Sequence, residues 1–153
     1  MKLRLISATL LILFCAVFLA WGGSQAKASP PMKLEAQLVW GTNDKNSPND
    51  KHTPVRPEVK KKLEDLPLKW SHYFEVSKQR FDVQAASSTK VTLSKQCSIE
   101  VKNLGNSRIE VSHFGKGEHI LRRMQKLPKG ETFVLGGNAP NATSWFVILK
   151  RVD

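Results

Sequence analysis

From residue 5 to residue 20 the chain carries no charge, and Ser7 and Thr9 are its only polar side chains there. Lys2 and Arg4 precede this run; Gly22-Gly23 and then Ala26-Lys27-Ala28 follow it. A positive start, a short apolar stretch and a small-residue processing site form the pattern of a secretory signal peptide. A membrane-spanning helix needs about 20 apolar residues, and the glycine pair ends this run sooner, so an uncleaved anchor is the weaker reading. Cys15 lies inside the run behind Phe14, not at its end behind small residues, which argues against a lipid-modified cysteine. Residues 1–28 are therefore expected to be removed, leaving residues 29–153 as a single domain.

Beyond that point the period of the pattern changes. Residues 33–40 alternate, with Leu34, Ala36, Leu38 and Trp40 on one face and Glu35 and Gln37 on the other, which predicts a half-buried strand. Residues 41–56 are rich in Asn, Asp, Pro and Lys and read as a long loop. Residues 57–66 predict the one helix: Pro57 suits its first position, Glu58 its positive end, and Val59, Leu63 and Leu66 make one apolar stripe before Pro67 stops it. Strand-like alternation then resumes in residues 70–76 and 81–83, at Val91 and Leu93, and with Cys97, Ile99 and Val101 on one face. It continues through Ile109 and Val111, less regularly through 119–126, and through Phe133, Val134 and Leu135. The weak alternation of 119–127 predicts a bulge or register irregularity there. Turn residues separate the strands at 104–107, 115–117, 128–130 and 136–141. The closing apolar run 145–149 has the character of a central strand covered on both faces. The fold predicted is mainly β: a small antiparallel sandwich or barrel with one short helix packed on one end.

Charge adds a second layer. The whole chain carries +11; loss of residues 1–28 removes Lys2, Arg4 and Lys27 and no acid, leaving +8. It also removes Cys15, so Cys97 is left without an intramolecular disulfide partner and the core must hold the domain together.

Pro67-Leu68-Lys69-Trp70 leading into Tyr73-Phe74-Glu75-Val76, with residues 127–131 and the segment from Gly136-Gly137 to Trp145-Phe146, resembles small exported bacterial proteins built from a signal peptide, a short helix and a β-domain. The resemblance spans residues 33–150. It implies the fold, and it brings no activity and no active-site residues with it.

Candidate chemistry is sparse. A three-residue hairpin loop at 115–117 would set His113 opposite His119, close enough to share a metal. Zinc wants three or four protein ligands, however, so two ordinary imidazoles are the favoured reading. Cys97 shares a face with Ile99 and Val101 and reads as a small core hydrophobe, with no base in a recognisable pattern beside it. Ser94-Lys95 would point to opposite faces of a strand, and Gly136-Gly137-Asn138 opens no helix, so neither a serine–lysine dyad nor an anion nest is expected. Asn141-Ala142-Thr143 fits the glycosylation acceptor pattern. Trp40, Trp70 and Trp145 fall among apolar residues and are expected in the core ahead of any sugar- or base-stacking role. The anion-binding candidates are Lys60, Lys61 and Lys62 on the helix and Arg122, Arg123, Lys126 and Lys129 on the sixth strand and its turn.

No catalytic motif and no cofactor motif is present, so the function expected is non-enzymatic. The leading expectation is an exported, periplasmic or extracellular binding module, not integral to the membrane after cleavage. Its basic surface would meet an anionic envelope component: a lipid headgroup, an acidic polysaccharide or an acidic protein. The alternative is an accessory protein of a secreted or envelope assembly that pairs through a sheet edge. Nucleic acid, which basic charge also suits, is disfavoured because export separates the chain from it. The expected mature N-terminus is Ser29; intact-mass analysis of exported protein checks this, and a mass that retains residues 1–28 refutes it.

Overall fold

The computed structural model describes residues 30–139 and 143–153. Residues 1–28, expected to be a signal peptide, and Asn141 of the acceptor pattern lie outside the described residues. The chain forms β1 (Met32–Thr42), the two-residue β2 (Thr53–Pro54), α1 (Pro57–Glu64), β3 (His72–Val83), β4 (Ser88–Ser94), β5 (Cys97–Gly105), β6 (Arg108–Gly115), β7 (Glu118–Lys126), β8 (Thr132–Asn138) and β9 (Ser144–Arg151). All pairings are antiparallel, in a sheet of order β2-β3-β1-β9-β8 and a second of order β4-β5-β6-β7. The mainly β sandwich with one short helix is thus the architecture adopted.

The two sheets face each other across one core. Leu34, Ala36 and Leu38 from β1, Val147 and Leu149 from β9, and Leu135 from β8 meet Val91, Ile99, Val101, Ile109 and Val111 from the second sheet. Period-2 alternation makes this work, because every second residue of each strand enters one layer. Helix α1 does not sit at an end of the sandwich, as its pattern suggested, but lies over the outer face of the five-stranded sheet. There Leu63, wholly buried, packs in a second cluster with Val39, Val55, Tyr73, Phe146 and Ile148, with Val59, Leu68 and Trp70 around them. The helix ends at Glu64, and Leu66 lies past it, 37% exposed.

This third layer changes the reading of β1. Glu35 and Gln37, expected to face solvent, are only 4% and 3% exposed. β1 is flanked by β3 and β9 and covered on its outer face as well, so even its polar positions are buried. Glu35 is matched there: Arg80 Nε donates to its Oε2 at 2.8 Å and Arg56 Nη2 to its Oε1 at 3.2 Å. Burial acts to raise the Glu35 pKa, but the hydrogen bond and charge of Arg80, with Lys78 and Arg56, outweigh it and hold the carboxyl below its ordinary value.

Other departures are local. The loop predicted for 41–56 is shortened by β1 running to Thr42 and by β2; β3 begins at His72, with Trp70 ahead of it. Gly136-Gly137-Asn138 belongs to β8 and pairs with Phe146, Trp145 and Ser144, so these residues form no loop and no backbone nest. The irregularity expected in residues 119–127 is present: His113 pairs with Leu121 but Phe114 with His119, leaving Ile120 bulged out of register. Trp145–Leu149 is central between β1 and β8, and Phe146 to Leu149 are buried while Trp145 is 39% exposed.

Arg80→Ala would leave the buried Glu35 carboxylate with Arg56 alone and is expected to lower stability at pH 7 by about 1–3 kcal/mol. Because the folded-state pKa of Glu35 is depressed, the stability it contributes is complete above its ordinary value of 4.5 and is lost as pH falls through the folded value. Urea unfolding of both proteins checks this. The difference should shrink as pH drops below 4.5, and a penalty unchanged by acid would refute the assignment.

Candidate functional site

The strands of the second sheet alternate direction, so the β4–β5 and β6–β7 turns gather at one end of the sandwich. They face the β8–β9 end of the other sheet across a cleft of about 790 Å³. Its apolar lining comes from Leu38, Ile120, Ala139 and Trp145; Cys97 and His113 also line it, and the exposed Lys95 and Lys116 stand on the two turns. The volume is in the range of small-molecule sites. Lys116 and Gly117 form a two-residue turn, both at positive φ (52° and 86°), closed by the pairing of Gly115 with Glu118. The exposed Ile120 side chain lies directly over Gly115, in the space a Cβ there would take, so a larger residue at 115 would push the isoleucine aside.

That tight turn corrects the imidazole pairing. The loop has two residues, not three, and with the Ile120 bulge it places His113 opposite Leu121 and His119 opposite Phe114. His113 turns inward to the cleft, whereas the exposed His119 stacks edge-on against Phe114 at 5.4 Å, with Lys90 5.0 Å from the same ring. The two imidazoles therefore share no site, and among the described residues no group of three or more His, Cys, Asp or Glu could hold a metal ion.

His113 instead meets Cys97, Nε2 to Sγ 3.4 Å, a diagonal neighbour that sequence spacing did not reveal, because the β5–β6 register sets His113 opposite Ile99 and Cys97 opposite Gly115. Burial pushes the thiol up to about 11 and the imidazole down. Both shifts favour the neutral forms at pH 7, so the contact is one between a thiol and a neutral imidazole, whose tautomer decides which of the two donates, and the thiolate that a nucleophile needs is disfavoured.

The basic candidates are dispersed. Lys60, Lys61 and Lys62 are exposed on α1, outside the five-stranded sheet, while Arg122, Arg123 and Lys126 are exposed on β7, the edge of the other sheet. Lys60 pairs with Glu64 at 3.5 Å, Arg122 with Glu110 at 3.8 Å, and Lys129 with Asp153 at 3.5 Å. Trp40 is buried against Phe74 and Trp145, with ring centroids 6.1 and 6.4 Å away, and Trp70 lies edge-on to Phe146 at 5.7 Å. Of the tryptophans placed in the core by pattern, Trp145 alone reaches the cleft.

A second, smaller cavity of about 140 Å³ lies between α1 and the outer face of the five-stranded sheet, over Glu35 and Gln37. Comparison with family models, with curated proteins and with solved structures finds no match to this chain, so its functional reading rests on this geometry.

A neutral Cys97 should react slowly with thiol reagents in the native state. Its rate is expected to rise about tenfold per pH unit toward pH 11. A stopped-flow labelling profile checks this; a plateau reached below pH 8 would identify an activated thiolate instead.

Proposed function

We propose that this chain is an exported, non-enzymatic binding module that takes an anionic amphiphile, such as the acyl chain and charged head of an anionic lipid, into the end cleft of its sandwich. The observation that carries the reading is the cleft lining: a wall of Leu38, Ile120 and Trp145 with Lys95 and Lys116 on the turns beside it. An apolar chain buried along the wall is favoured by about 25 cal/mol per Å² removed from water. The lysines select for a negative head, and the net positive charge of the domain draws anionic ligands from a distance. Cys97 and His113, both neutral, supply polarity at the wall without chemistry.

A second reading, docking through a sheet edge, is favoured by β7. Among the described residues it has no strand beyond it, and it exposes Ile120 and Met124 at 57% and 62% beside Arg122, Arg123 and Lys126. An acidic extended segment would find both backbone partners and complementary charge there.

Dodecyl phosphate below its micellar concentration is expected to change tryptophan emission through Trp145, whereas dodecyl maltoside and inorganic phosphate should bind far more weakly. Lys95→Gln with Lys116→Gln should weaken binding by about tenfold or more, each charge being worth about 1 kcal/mol, and added salt should reduce the affinity of the parent protein. Equal binding of charged and neutral amphiphiles, or no effect of the lysine changes, overturns the cleft reading. Capture of an acidic protein segment that is lost on Met124→Asp and kept on the lysine changes would favour the edge.

A further inference from the structure

The edges of the two sheets are guarded unequally. An edge strand presents unpaired backbone N–H and C=O groups, and folded proteins shield such edges with charge, proline, a bulge or shortness. β2 has two residues, one of them Pro54. β4 carries Lys90 and a register shift near its end, and hydrogen bonds from Ser77, Gln79 and Thr89 tie it to β3. β7 carries Arg122, Arg123, Lys126 and the Ile120 bulge. β8 has none of these devices. Thr132–Asn138 holds no charge and no proline, and its register against β9 is unbroken from end to end. Among the described residues no strand lies beyond it.

The glycines of β8 carry the argument further. Gly136 has a reason inside the fold, since a Cβ there would stand 3.0 Å from the Phe146 ring. Gly137 has no such reason. Nothing lies within 4 Å of the place its Cβ would take, and its φ is not positive. A glycine inside a strand weakens it, and often marks a place where another backbone comes close.

We propose that β8 is a self-association edge, which pairs antiparallel with β8 of a second copy about a two-fold axis at Leu135 and joins the two five-stranded sheets into one. Leu135 is the midpoint of the strand, so this register pairs its whole length. It sets Phe133 opposite the partner's Gly137, and Val134 opposite the partner's Gly136. Each large side chain thus meets a glycine, and an aromatic ring laid over an edge glycine stabilises a strand pair. The sequence of β8 is complementary to itself, as a two-fold contact demands. β7 fails that condition, because its arginines would face like charge. A charged partner finds nothing to recognise on β8, so the occupant is a second copy. Each copy is strongly basic, so long-range repulsion opposes the pairing and added salt strengthens it, the reverse of the salt effect on an anionic ligand or an acidic segment.

The test uses protein from residue 29 onward, the expected processed form, with a reductant present so that Cys97 forms no covalent dimer. Light scattering at about 100 μM should report a dimer, more populated at about 0.5 M salt than at about 0.05 M. In a mixture of isotope-labelled and unlabelled copies, filtered NMR spectra should show contacts between the Phe133 ring of one copy and Gly137 of the other. Gly137→Lys should fold, because the position is open within the single chain, and should weaken the dimer by about tenfold or more. Melting at low concentration, where both proteins are single chains, checks that folding. Met124→Asp on β7 should leave the dimer intact. Three results overturn the proposal: a single chain at every concentration and salt, a dimer lost on Met124→Asp but kept on Gly137→Lys, or a dimer of the parent protein without the Phe133–Gly137 contact.

Discussion

The domain is organised by the burial of β1 on both faces. Its even-numbered residues up to Leu38 enter the sandwich core, and its odd-numbered residues from Glu35 to Val39 lie buried on the side where α1 packs. A strand in that position admits an ionised residue only with its charge matched in place, and Arg80 and Arg56 meet that requirement for Glu35. Arg80 comes from β3, directly opposite Glu35 in the register, and Arg56 from the residue that precedes α1. The ion pairs therefore fix where the helix begins relative to the sheet, and Leu63 fixes where its far end rests.

The two ends of the sandwich are treated differently, and the larger cleft follows from that difference. At the end opposite the cleft, Arg151 of β9 reaches across to the other sheet. Its Nη1 donates to Ser107 Oγ at 2.9 Å and to the Leu127 carbonyl at 3.3 Å. The same guanidinium forks onto Asp153 at 2.7 and 2.9 Å, and that hydrogen bonding holds the Asp153 carboxyl well below the usual carboxylate range. Along one side, Ser77, Gln79 and Thr89 donate to carbonyls across the β3–β4 junction, so the sheets are tied there too. At the cleft end Lys95, Lys116 and Glu118 stand on or beside the turns, and the tight 116–117 turn with its Ile120 bulge shapes one wall of an opening between the sheets.

The pairing of Cys97 with His113 illustrates why proximity alone is not chemistry. A thiol and an imidazole 3.4 Å apart have the composition of a nucleophilic dyad, but their burial disfavours both charged forms.

Alternation and turn chemistry by themselves determined most of the strands, the single helix, the antiparallel sandwich and the weak point in 119–127, because those features depend on period and on local backbone preference. The inward faces of β1, β5 and β6 were legible residue by residue for the same reason: Leu34, Ile99 and Val111 are buried by the side of the strand they occupy. Only the tertiary structure decided what lay on the outward faces. Glu35 and Gln37 look like solvent-facing residues until a helix 20 residues on closes over them. The separation of His113 from His119 depended likewise on a register set by one tight turn and one bulge, and the meeting of Cys97 and His113 on the register of β5 against β6. A shift of a single residue moves a side chain to the other face of the sheet, and no local pattern in the chain records that choice.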